Sequence, residues 1–161
     1  MNGTHLHLAV SHFPVVGMII GFLVYVVGLI KKNDEVIKVS LGLFVLNLIF
    51  VAPTYFSGEG AEEIIEHLPG FNETFIEKHE ALAPFAAGAV VWVGVLSIVG
   101  LFLYRINKPI SQIVKNIFLI FVLSACGLLI WTANRGGQIH HEEIRSMGVT
   151  DPPGRQVEER E

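Results

Sequence analysis

Residues 81–104 read ALAPFAAGAVVWVGVLSIVGLFLY, twenty-four positions without one charged side chain. As a helix this stretch covers about 36 Å, enough to cross the roughly 30 Å hydrocarbon core of a bilayer. In water its valines and isoleucines would favour a strand. In lipid, with no water to satisfy the backbone, an uninterrupted run of this length closes its hydrogen bonds only as a helix.

Three further runs have the same character: residues 13–30, 39–56 and 117–133, all free of Asp, Glu, Lys and Arg. Over its 161 residues the chain is 52% hydrophobic and 16% charged, unlike an ordinary soluble domain. The pattern predicts an all-α, polytopic membrane protein, a four-transmembrane-helix bundle with helices over about 5–30, 39–56, 76–104 and 112–134. These form one transmembrane domain over residues 1–146; the proline-containing, charged tail 147–161 reads as disordered.

Basic residues set the expected orientation. The connectors 31–38 and 105–115 carry Lys31, Lys32, Lys38, Arg105, Lys108 and Lys115, whereas the opposite side has only Lys78 and Arg135 close to a span. By the positive-inside rule both termini lie outside, in a bacterial inner (cytoplasmic) membrane. The first run is not a secretory signal by its flanks, since histidines stand where Lys or Arg belongs and its apolar part is too long. Cys126 is the single cysteine, so the chain forms no internal disulfide, and no C-x-x-C-H attaches a c-type haem.

Between spans, the outer segment 57–80 holds seven Glu against one Lys. Ala61, Ile64, Ile65 and Leu68 fall at helical spacing, predicting a separate amphipathic helix along the interface until Pro69-Gly70 breaks it. Asn72 is placed to cap a further helical turn that leads into the third span. Small residues there, Ala83, Ala87 and Gly94 with Gly88 and Ser97 nearby, call for either a close neighbouring helix or a non-protein group. Gly136-Gly137 is expected to release the chain from the fourth helix before a short piece around IHHEEIRSM.

On this topology all seven histidines, His5, His7, His12, His67, His79, His140 and His141, fall on the outer side. His12 and His79 border apolar runs at one level, where ionisable groups face a bundle interior rather than lipid. Imidazole is the commonest protein ligand for haem iron, zinc and copper, and two histidines on different helices suit a bis-imidazole haem. His12 and His79 are therefore the first-choice axial ligands, with His5, His7, His140 and His141 as alternatives. Arg135 is the candidate partner for a haem propionate through its planar fork. The bland alternatives are an interfacial imidazole bonded to a carbonyl, and an arginine paired with Glu59 or Glu80. A different chemistry uses the same atoms: His12, His79 and His140 or His141, with Glu59, Glu62, Glu80 or Glu142, as a zinc or copper site. No H-E-x-x-H supports it.

With HLHLAVSHFPVVG at the first helix, FSGEGAEE after the second, KHEALAPFAAG opening the third and TANRGGQIHH after the fourth, the chain resembles an uncharacterised bacterial family of small, predicted four-helix membrane proteins. That family is distantly similar to the four-helix b-type cytochromes. The resemblance implies haem b between helices and points again to His12 and His79. One departure matters: no histidine lies in the inner half of any helix, so a second haem near the cytoplasmic face has no ligands. The expectation is a haem-binding electron-transfer subunit, rather than a stand-alone enzyme, working at the outer (periplasmic) face. Its expected partners are a quinol, a c-type cytochrome or a larger membrane redox complex, and no nucleic acid. A zinc or copper protein of transport, sensing or hydrolysis is the alternative, and a cofactor-free structural subunit the second.

Overall fold

The computed structural model describes residues 3–65 and 73–140. They form five helical segments and no strand: α1 (Gly3–Val10), α2 (His12–Lys31), α3 (Asp34–Ile65), α4 (Glu73–Arg105) and α5 (Gln112–His140). Four stretches are long and apolar enough to cross a membrane: His7–Lys31, Asp34–Gly58, Glu73–Arg105 and Gln112–Ile139. The chain is thus an all-α bundle of four transmembrane helices, as its apolar runs predict. The helices pack as a ring, α2 on α3, α3 on α4, α4 on α5 and α5 back on α2, while α1 continues outward against α3. Both termini of the described chain lie at one end, the histidine end. The two short hairpins make the lysine end.

The core is a stack of side chains directed inward from all four spans, centred on Met18, Phe44, Val90, Val93, Val122 and Ala125. Tyr25, Phe44 and Phe118 meet as an aromatic cluster, with Tyr25 and Phe118 edge to face at 5.2 Å. Outside, Phe85, Trp92, Ile49 and Leu123 are exposed, the inverse of a soluble protein and the surface a lipid solvent requires. The notch at Gly94 is taken by a neighbouring helix: a Cβ there would stand 2.6 Å from Leu48 Cδ2. Lipid supplies little drive for apolar side chains to associate, so close packing of this kind carries helix association.

Both hairpins stop their helices in the same way. Lys32 (φ 50°) and Asn107 (φ 55°) are left-handed, and the next backbone N–H turns back to Gly28 O and Leu103 O respectively. Asn33 then caps α3 by accepting from the N–H groups of Glu35 and Val36. The span predicted from residue 39 accordingly begins at Asp34.

At the other end the helices outrun their predicted limits. The first span is interrupted at Ser11, because Pro14 has no N–H to offer Val10 O. The Thr54 hydroxyl on α3, shared between Val10 O (3.2 Å) and Phe50 O (2.8 Å), fills that place. Contrary to the reading of residues 57–65 as the start of a separate interfacial helix, α3 runs unbroken to Ile65. Nor does Gly136-Gly137 release the chain, since α5 continues to His140. Glycine inside a helix costs only about 1 kcal/mol, and here its missing side chain admits imidazole rings. The Pro69-Gly70 break, the Asn72 cap, His67, His141, Glu142 and the tail 147–161 lie outside the described residues.

Candidate metal centre at the histidine end

The structure pairs His79 with His7, their ring centroids 6.4 Å apart and their planes at 82°. His12, the expected partner, is exposed at the mouth of a groove between α2 and α3, and no described hydrogen bond or ring contact joins it to His79. The difference is one of helix phase. Placing histidines by depth selects His12, but His7 is the residue whose ring turns toward α3 and α4.

Each ring is fixed by a carbonyl from another helix. His7 Nδ1 lies 3.1 Å from Thr54 O and 3.2 Å from Ser57 Oγ. Since Ser57 itself donates to Thr54 O at 3.1 Å, its oxygen lone pair and the carbonyl both face the imidazole as acceptors. His79 Nδ1 lies 2.9 Å from Thr132 O on α5. Carbonyl oxygens never donate, so in both rings Nδ1 carries the hydrogen, and in the neutral ring Nε2 keeps its lone pair. This is the outer-shell arrangement that orients metal-bound histidines.

Two glycines make the space. A Cβ on Gly136 would stand 3.1 Å from His79 Cε1 and Nδ1, and one on Gly58 would meet His7 Cε1 at 3.7 Å. A side chain at Gly136 would press on the His79 ring, whereas at Gly58 a Cβ would make only an ordinary contact with His7. On α5, Arg135 follows the same level and donates to Gln138 at 3.2 Å, while Gln138 donates to Asn134 at 2.9 Å. No described ion pair engages Arg135, and the expected Glu80 partner is exposed.

Of the alternative ligands, His5 is exposed on α1 and Glu62 is half-buried on α3. His140 ends α5 one turn beyond Gly136, and Glu59 belongs to α3 one residue after Gly58. Among the described residues no group of three or more His, Cys, Asp or Glu side chains converges. The site is a two-imidazole site in this set. Depth and sidedness in the sequence found His79; what they missed was His7's phase and the carbonyls of Thr54 and Thr132, since a main-chain acceptor leaves no trace in residue type. The glycine pair was the visible clue. No protein-family model, curated protein or solved structure matches the chain.

Proposed function

We propose that this protein is a b-type haem-binding membrane subunit, exchanging electrons at the outer face of a bacterial inner membrane, in which His7 and His79 would hold the haem. The observation that carries the reading is the double carbonyl lock on Nδ1, which leaves two Nε2 acceptors from different helices at one level. The ring centroids lie 6.4 Å apart, which supports both imidazoles serving one bound group.

When bound, haem would supply one-electron redox chemistry that the side chains lack. The protein's own part is binding, orientation and electrostatics. Thr54 O and Thr132 O hold the tautomer, Gly136 gives His79 its room, and Arg135 offers a cation for an anionic substituent. Haem needs only two protein ligands, which agrees with a pair rather than a cluster. The six basic residues of the lysine end support a cytoplasmic position for that end by the positive-inside rule. With no histidine in the inner half, electron exchange stays on the outer side, toward a c-type cytochrome, a quinol or a larger membrane redox complex.

A second reading is a zinc or copper site at the same two imidazoles, since a neutral Nε2 suits those ions as well as haem iron.

Reduced-minus-oxidised absorbance and metal analysis of the purified full-length protein test both. We expect a b-type band that is lost in His7→Ala and in His79→Ala and kept in His12→Ala. A colourless protein with stoichiometric zinc or copper selects the second reading. A colourless, metal-free protein rejects both and leaves the imidazoles as helix ties.

A further inference from the structure

A groove of about 400 Å³ runs between α2 and α3 on the lipid-facing side, between His12 and Ile20 on one wall and Leu43 and Phe50 on the other. Its walls are apolar except at two points. His12 stands at the outer mouth, and Asn47 lies inside, only 3% exposed. Asn47 Nδ2 donates to Pro14 O at 3.1 Å, which fixes the amide so that Oδ1 lies against Gly17. No N–H or O–H among the described residues donates to that oxygen. His12 likewise has no described hydrogen bond, ion pair or ring contact.

A buried amide oxygen without a donor is costly, more so in hydrocarbon where water does not stand in. A phospholipid tail in the groove would leave it unpaired, and a phospholipid's polar groups stay at the interface. Asn47 is thirteen residues from Asp34, about 20 Å above the lysine end, so the donor must come from a molecule soluble in the bilayer core. Gly17, beside Oδ1, is five residues inward of His12, a rise of about 7.5 Å. A ring with hydroxyls at opposite positions, about 5.5 Å between its oxygens, reaches about 11 Å with a hydrogen bond of about 2.8 Å at each end, which is the rise of about 7.5 Å plus the reach of a His12 side chain leaning toward the helix N-terminus.

We infer that the groove between α2 and α3 binds the hydroquinone head of a membrane quinol, one hydroxyl donating to Asn47 Oδ1 and the other facing the His12 imidazole. Val16, Ile20 and Leu46 cover the ring and the start of its tail. The assignment deepens the proposed function by choosing one partner class, yet it stands on its own geometry, because binding requires nothing at His7 or His79.

The test uses the full-length protein in phospholipid nanodiscs, whether or not it carries haem. The probes are a 1,4-benzoquinol with a decyl tail and its dimethyl ether, which cannot donate. We expect the quinol to bind the native chain about tenfold more tightly than the ether, at the low end for pairing a buried acceptor. Asn47→Leu should remove that preference, and Leu46→Trp, which fills the groove from its α3 wall, should abolish saturable binding of both. Equal affinity of quinol and ether for the native chain overturns the inference. So does quinol binding that survives Leu46→Trp, or a native dimer that buries the groove. A positive result with a colourless protein would keep this site and reject the haem, so the two readings fail separately.

Discussion

At the lysine end, Asp34 accepts from Lys115 Nζ at 2.6 Å and from Tyr104 Oη at 3.0 Å, Tyr25 donates to Lys115 O at 3.0 Å, and Lys38 pairs with Glu35. At the histidine end the described ties across helices run from imidazole, threonine or asparagine to carbonyl oxygen, with one from His7 to the Ser57 hydroxyl. The first end is closed by fixed charges and by two left-handed stops; the second lets α3 and α5 run on, with Pro14, Pro53 and Pro84 all in that half. Charges that pair with each other are satisfied and have little left to offer a ligand. Imidazoles tied by Nδ1 alone keep a lone pair, so an end built from them holds its helices together and still presents acceptors.

That contrast can be broken from either side. The largest expected effect is at Gly136, where Gly136→Val forces the added carbons onto His79; over-packing of this kind costs about 1–3 kcal/mol. Thermal unfolding in detergent should show the loss, and any bound chromophore should disappear with it. Thr54→Val comes next. It removes the only described side-chain donor to the carbonyl freed by Pro14, for an expected loss of about 1 kcal/mol without loss of the imidazole pair. Smallest is Asp34→Asn at the lysine end. The carboxylate is half-exposed, so the ion pair is worth about 0.2–1 kcal/mol. Its cost should shrink further in high salt, whereas the costs of Gly136→Val and Thr54→Val should not. A salt-independent loss for Asp34→Asn would mean that its role is the Tyr104 hydrogen bond rather than the Lys115 charge.

Legibility followed residue type. Long charge-free runs are a property of composition, and the bilayer turns them into helices with little help from packing; hence four predicted spans and four observed. Helix ends were less legible where glycine was the signal. Gly58 and Gly136-Gly137 look like stops, and in a hairpin they would be. Here both lie within helices, and at Gly136 the close approach of the His79 ring, not backbone freedom, explains the residue. Asn47 is a lone amide inside an apolar run, a feature that in a membrane helix points to function. Its bond to Pro14 O is what reveals the oxygen left over.

By itself the sequence determined the solvent, the number of spans, the sharing of one end by both termini and the segregation of lysines from histidines. These depend on hydropathy and on counting, which need no knowledge of neighbours. Which histidine meets His79 was decided only by tertiary structure. Depth along a helix can be read from residue number, but the direction of a side chain around it depends on the break at Ser11 and on how α1 leans against α3. The tautomers were decided there too, because main-chain carbonyls of Thr54 and Thr132 set them, and every residue carries the same carbonyl whatever its side chain.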